Sequence, residues 1–459
     1  MQTLRVRVRW GILVGFAVAL GSYPSWVYAQ ERAAGVVVDA QGVLHKKVVP
    51  DPTGQLMRER QAAAKASLSA EVARFSKRRY ISLTRLEQAL ADRQGVLTDE
   101  MRYLAGLLRV QYVFFYPETK DIVIAGPAEG WMEDPAGRIV GITTRRPVCR
   151  LEDLVAVLRL FGPDKKKSHQ VIGCSIDPTP EGLAAMQRAL RQMGSQLPGP
   201  PNAAIANQIA STLQENLGLQ DITINGVPAE THFAHVLVEA DYRMKLIGIG
   251  LEEPPIQMAS FVQMVNPSQV SRNALFRWFF VPDYQCVRVS QDGLAMKLEG
   301  DGVKLVGEDE MVSTEGQRQT VNVTSRASQM FTNTFTKKYP ELAERSPVFA
   351  ELRNLIDMAV AAAFIQQQDY YTKAGWKMEL FGDESKFAIQ RYPAPRKVAP
   401  AVSAVVRGAR LMTPIGGGVH IEPQEALEKR NLLPDDKGEV AKIHQDVQLR
   451  LPQGRWWWD

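Results

Sequence analysis

No two cysteines in this chain are spaced as CxxC, and only three are present, Cys149, Cys174 and Cys286. A structural zinc site built on paired thiolates is therefore excluded. Three is an odd number, so at least one thiol is free or pairs with another chain; Cys149 and Cys174 are the pair nearest in sequence and the disulfide candidate in an oxidising compartment. A surplus of one charge is also missing. The chain has 55 Lys and Arg against 50 Asp and Glu. Three of the basic residues, Arg5, Arg7 and Arg9, lie in the N-terminal segment treated below; without them the balance is 52 to 50, a net charge of +2. That gives no electrostatic footprint for nucleic acid. The one dense basic run, Lys165–Lys167, reads as a solvated loop. The Gly416–Gly418 run has neither a Walker lysine nor the strand-to-helix context of a dinucleotide fold, so no cofactor is implied.

The N-terminus is informative. Arg5, Arg7 and Arg9 precede an apolar run from Trp10 to Leu20, and Val27-Tyr28-Ala29 has the small residues that a signal peptidase reads. This predicts export to the periplasm or beyond, with cleavage after Ala29 and Gln30 as the mature N-terminus. The apolar run is short for a membrane span, and Gly21, Ser22, Pro24 and Ser25 interrupt it. No later stretch reads as a transmembrane segment.

Periodicity predicts an α+β fold: a mixed helix/strand N-terminal half, a central helix plus an antiparallel β-meander, and an extended C-terminal tail. Residues 30–195 begin with a hairpin turning at Asp39–Gly42. Helical patterns follow at 54–77, from Ser82, and from Thr98 onward. Strand patterns cover 111–116, 121–125 and 139–143; a helix covers 151–161 and a β-branched stretch 169–176. Thr179 is placed to cap, and Pro180 to open, a helix to residue 193. Residues 196–202 (QLPGPPN) read as linker. Residues 203–390 hold a helix at 203–217, a strand at 221–225 and the central helix. A strand-rich segment follows at 275–312, with turn signals at Gln291–Gly293 and Gly300–Gly302. Two helices follow, one stopped by Pro340 and one capped at Ser346 and opened by Pro347. Residues 391–459 read as linker and partly disordered tail, with 407–412 and 419–421 as short-strand candidates around Gly416–Gly418.

Between Ala229 and Leu251 functional side chains are densest. Phe233, Val236, Leu237, Ala240, Met244 and Ile247 share one helical face, and His232, His235 and Glu239 run along its border. Two imidazoles and a carboxylate at i, i+3 and i+7 suit a divalent cation, although HxxHxxxE is not the HExxH pattern. Glu239 with Arg243 and Asp241 with Lys245 are i, i+4 pairs in the favoured orientation and read as scaffold ion pairs. Cys174 is a nucleophile candidate at the end of a strand, with His169, His232 or His235 as a base that the fold would have to bring near. Asp177 with Glu181 is the carboxylate-pair candidate, although acids at a helix start are first explained by capping and the helix dipole. Trp456–Trp458 suits either docking on the body or contact with a partner.

The signal, the CSIDPTPEGL turn at 174–183, the VEADYRMKLIGIGL helix at 238–251 and the YPELAERSPVFAELRNLIDMA segment at 339–359 together resemble a known family. The chain is similar, over roughly residues 100–390, to exported planctomycete-type proteins catalogued only as a domain of unknown function. The resemblance implies export and no nameable activity or catalytic residue. The expectation is a non-catalytic cell-envelope protein acting in binding or assembly, its partner another envelope protein or surface component. The rival is an extracytoplasmic hydrolase using the His/Glu helix or Cys174.

Overall fold

The computed structural model describes residues 33–193, 203–265, 274–312, 318–320, 325–402, 415–447 and 451–459. The predicted signal peptide and the linker 196–202 lie outside them. Two mixed sheets and a small hairpin carry the strands. The nine-stranded sheet runs β1 (Ala33–Val38), β2 (Val43–Val49), β15 (Lys397–Val398), β9 (Gln220–Asn225), β8 (Ile172–Asp177), β16 (Ile415–Ile421), β10 (Ala274–Pro282), β13 (Val303–Val312), β14 (Arg318–Thr320). The seven-stranded sheet runs β17 (Leu432–Leu433), β11 (Val287–Val289), β12 (Ala295–Leu298), β4 (Tyr112–Tyr116), β5 (Asp121–Ala128), β3 (Ser76–Ser82), β18 (Trp457–Trp458). A separate hairpin pairs β6 (Trp131–Glu133) with β7 (Ile139–Gly141).

Helices fill the space around and between these strands. In chain order they are α1 (Gln55–Ser67), α2 (Ala70–Ala73), α3 (Leu83–Asp92), α4 (Asp99–Arg102), α5 (Leu151–Leu160), α6 (Pro180–Met193) and α7 (Ala203–Leu217). After them come α8 (His232–Gly248), α9 (Phe261–Met264), α10 (Arg326–Arg345), α11 (Pro347–Gln367), α12 (Tyr370–Ala374) and α13 (Glu439–Gln445). The fold is α+β, as the patterning predicts.

The central helix forms where its signals lie. Thr231 Oγ1 accepts the Ala234 amide at 3.2 Å, a side-chain cap on the first turn of α8. Its far end is shaped by packing. A Cβ on Gly248 would sit 2.1 Å from the Trp278 ring, so only glycine lets α8 close onto β10. α8 lies across β8 and β16 and against α5 and α11. α11 is apolar around almost its whole circumference, and accordingly every residue from Val348 to Gln366 is buried. Among the described residues no helix is long and apolar enough to cross a membrane.

Three elements differ from the sequence reading, and each difference has a cause. The helical pattern over 54–77 ends early, and residues 76–82, of which 78–81 carry no assignment from the sequence, are strand, because β3 pairs with β5. α10 continues through Pro340 to Arg345 instead of stopping there. The strands of 274–312 pair antiparallel, but not as one meander: β10 pairs with β13 in one sheet, while β11 and β12 pair in the other, against β4.

The largest difference is in the stretch read as linker and tail. β15 joins β2 to β9, and β16 lies between β8 and β10 inside the nine-stranded sheet. The glycine run is what fits there. A Cβ on Gly417 would meet Trp278 O at 1.8 Å, and one on Gly418 would meet Cys174 O at 1.9 Å. β18 then pairs with β3 at the edge of the second sheet. Glycine-rich and polar composition resembled disorder, but long-range pairing decides the conformation.

Candidate functional site

The α8 residues singled out by spacing do not converge on one ligand. His232 turns toward α5, its Nδ1 2.8 Å from Asp153 Oδ2, with Nε2 4.0 Å from Glu351 Oε1 on α11. His235 turns the other way and donates from Nε2 to Pro393 O at 2.7 Å. Glu239 accepts from Arg138, which also donates to Glu351. Each candidate ligand thus has its own protein partner, so the divalent-cation trio is not assembled. Among the described residues no group of three or more His, Cys, Asp or Glu could hold a metal ion.

Burial sets the protonation of this cluster. It pushes Asp153 up to about 7, against the pull of the Arg150 guanidinium. It pushes His232 down to about 3, and Arg150 adds to that. Between about pH 3 and 7 the pair is therefore a neutral acid beside a neutral imidazole, with Asp153 donating to Nδ1. Asp153 Oδ1 is buried without a partner. Around the pair, Arg150 donates to Glu152 at 3.1 Å and to the Tyr392 hydroxyl at 3.3 Å. Among the described residues the hydrogen-bond partners of His232 and His235 are Asp153 and the Pro393 carbonyl, not a Ser or Thr hydroxyl or a thiol.

The scaffold ion pairs are present and buried. Asp241 and Lys245 meet at 2.7 Å, and Lys245 also donates to Ile176 O at 3.1 Å and Gly417 O at 3.2 Å. Burial pushes Asp241 up to about 6, with Lys245 pulling it back. Glu239 and Arg243 are 3.6 Å apart, but the closer partner of Arg243 is Glu252 at 2.7 Å, which also takes Lys46 at 2.5 Å.

Cys174 does not stand at a helix start. It lies within β8 between Val419 and Ile224, 4 % exposed, and burial raises its thiol well above the ordinary value, with Asp241 adding to the effect. A thiol so placed is not a nucleophile. The Cys149–Cys174 bridge is corrected as well: all three cysteines are free and buried, Cys174 in β8 and Cys149 in the loop before α5. Burial also holds Cys286 high, at about 12. Asp177 is paired with Arg277 at 3.1 Å, while Glu181 is exposed on the first turn of α6. Thr179 Oγ1 caps that helix at Gly182 N, 3.0 Å, so the acidic turn is a helix start.

Of the two readings of the three tryptophans, the structure has docking on the body. Trp456, Trp457 and Trp458 are 6 %, 2 % and 8 % exposed. The fully buried Arg79 stacks on the Trp457 ring at 4.5 Å and pairs with Asp459 at 2.7 Å; Arg455 covers the ring's other side at 4.0 Å.

A cleft not indicated by any sequence motif opens between α1, α4 and the β6–β7 hairpin, about 780 Å³ in volume. Trp131 and Tyr103 lie on its floor with ring centroids 5.5 Å apart, edge to face. Asp99, Glu100 and Glu133 also line it, against a single basic residue, Arg60, which already donates to Glu133 at 2.9 Å. Burial raises the Tyr103 phenol, and the Asp99 and Glu133 carboxylates add to it. Its residues come from distant parts of the N-terminal half, which is why spacing does not reveal it. The buried charges were partly legible: Glu351 and Asp357 interrupt an otherwise apolar helix, and such residues call for partners such as Arg138 and Arg109.

The structure is thus that of an α+β protein with a deeply buried ionic network and an open acidic cleft. A family described as "Protein of unknown function (DUF1598)" matches residues 174–261, the span from Cys174 in β8 through α6, α7, β9 and α8 to Phe261. The resemblance to a domain of unknown function is borne out over that span, which carries Cys174, Asp177 and all the α8 candidates; Asp153, Arg138, Glu351 and the cleft lie outside it. No curated protein and no solved structure matches the chain.

Proposed function

We propose that this is an exported cell-envelope protein that acts by binding or assembly rather than by catalysis, and that it recognises a positively charged group on another envelope protein or surface component. The observation that carries this is the cleft beside Trp131 and Tyr103. Its volume lies in the range of ligand sites, it combines aromatic rings with carboxylates, and its charged lining is three acids to one base. A lysine or arginine side chain entering it would meet ring faces or edges and carboxylate oxygens together. The rival hydrolase reading has against it a buried, protonated Cys174 and a His232 engaged with a protonated Asp153.

Isothermal titration with tetralysine and with tetraglutamate tests the binding. Tetralysine is expected to bind, and Asp99→Asn combined with Glu133→Gln to weaken it about tenfold. Equal affinity for tetraglutamate, or no loss in the double variant, would remove the cleft from consideration. Export is checked by mass spectrometry of the envelope fraction, where the mature chain should begin at Gln30.

A further inference from the structure

The lysine run 165–167 is better braced than a solvated loop needs to be. Loops are ordinarily among the more mobile parts of a fold. Here the buried Gln366 of α11 donates from Nε2 to Gly162 O at 3.2 Å and to Lys165 O at 3.3 Å. From the other side Gln424 Nε2 donates to Ser168 O at 2.8 Å. Within the loop Ser168 N donates to Lys166 O at 2.8 Å, and Gln170 Nε2 to Ser168 Oγ at 2.8 Å. The three lysines have different tasks. Lys167 Nζ reaches Gln367 O at 3.4 Å and so helps hold the loop. Lys165 and Lys166 instead line a pocket of about 420 Å³ between this loop and α5. Among the described residues neither ammonium has a hydrogen-bond or ion-pair partner.

The pocket has two kinds of wall. Its charged lining is Arg159, Lys165 and Lys166, with no acidic side chain. Arg159 is held in place by Phe381 O at 2.6 Å, by Phe387 O at 2.5 Å and by Glu384, so it gives shape and residual positive potential rather than a free donor. Ala156, Leu160 and Ile389 supply apolar surface. Two unpaired ammonium groups that line one pocket repel each other, and a bound anion would relieve that repulsion. Because the loop is already ordered, the anion would not have to organise it, which lowers the cost of binding.

We propose that this pocket binds a small organic anion, a carboxylate, phosphate or sulfate group carried on an apolar body. Lys165 and Lys166 hold the anionic group, Ser168 and Gln170 offer hydrogen bonds beside them, and the apolar body lies on Ala156, Leu160 and Ile389. The volume is at the small end of known ligand sites and fits one short chain or ring. The site shares no residue with the acidic cleft, and its charge preference is the reverse.

The test is isothermal titration of the full mature protein with octyl phosphate below its micellar concentration, with octylammonium and inorganic phosphate as probes of the two halves of the site. Octyl phosphate is expected to bind one per chain, inorganic phosphate more weakly, and octylammonium not at all. Lys165→Gln combined with Lys166→Gln lies on an exposed loop face and leaves the fold intact, which the unfolding midpoint checks; it is expected to weaken octyl phosphate about tenfold or more. Raising the salt should weaken binding to the native protein and hardly affect the double variant. The proposal is overturned by equal affinity for octylammonium, by unchanged affinity in the double variant, by no binding of octyl phosphate, or by binding confined to phosphatidylglycerol vesicles.

Discussion

Asp153 and His232 share a buried site that favours neither charge, and the consequence is readable in how stability depends on pH. The folded value of Asp153 is raised, from 3.8 to about 7, so the stability it contributes is complete at low pH and is lost as the pH rises through 7. The folded value of His232 is lowered, from 6.5 to about 3, so its contribution is present above 6.5 and is lost as the pH falls toward 3. Between about pH 4 and 6.5 the two slopes oppose each other and cancel, because the unfolded pair holds the same single proton on the imidazole. Asp153→Asn should uncover the histidine slope, with stability falling toward acid by about 1.4 kcal/mol per pH unit. His232→Gln should uncover the opposite slope, with stability falling toward pH 7. Urea midpoints across that window decide it: two variants with the same pH dependence would dispose of the neutral pair. Sequence singled out His232 but could not have found its partner, which lies 79 residues earlier on another helix.

At the level of elements, Arg138 ties the β6–β7 hairpin to both α8 and α11 through Glu239 and Glu351. All three are buried, at 7 %, 4 % and 6 % exposure, so among the described residues removing the cation leaves Glu351 without a cationic partner in the interior and Glu239 with only the more distant Arg243, at 3.6 Å. Arg138→Ala is expected to cost about 3–5 kcal/mol of unfolding free energy in urea titrations. Arg138→Met with Glu239→Gln and Glu351→Gln should recover much of that, since the expense lies in unpaired charge rather than in lost contact. A triple variant no better than Arg138→Ala would show that the hairpin is held by geometry instead. The elements most legible in sequence were those specified locally. α6 has Thr179 and Pro180, α8 has Thr231, α11 has Pro347 at its first position, and the β4–β5 hairpin has its aromatic and β-branched residues. The elements missed or read only in part depend on distant partners: β3 needs β5 and β18, and β16, of which only 419–421 reads as a strand, needs β8 and β10, while 407–412 lies outside the described residues. The same divide separates the i, i+4 pair Asp241–Lys245, legible from spacing, from the cleft, whose walls come from three separate stretches.

For the molecule as a whole, the C-terminal residues close what the earlier chain leaves open. In the nine-stranded sheet β16 is the strand between β8 and β10, so without it the order β1-β2-β15-β9-β8 has no hydrogen-bonded link to β10-β13-β14. Closing the gap would require β8 and β10 to move together by about one strand spacing, ~5 Å, against the helices packed on them. Lys245 would also lose its bond to Gly417 O, deep beneath α8. β18 acts at the other sheet, covering the β3 edge and giving the buried Arg79 its partner Asp459. Two truncations should therefore differ in kind. Removing residues 455–459 leaves both sheets continuous but strands Arg79 and bares an edge, so the chain should fold with a lower unfolding midpoint and a tendency to associate. Ending the chain at Val402 divides the larger sheet, and the product should lack a cooperative unfolding transition and near-ultraviolet dichroism, however much helix it retains. A chain ending at 402 that unfolds cooperatively near the native midpoint would mean that β16 is an addition to a self-sufficient core. The burial of Trp278 against Gly417 and Gly248 argues that it is instead part of that core.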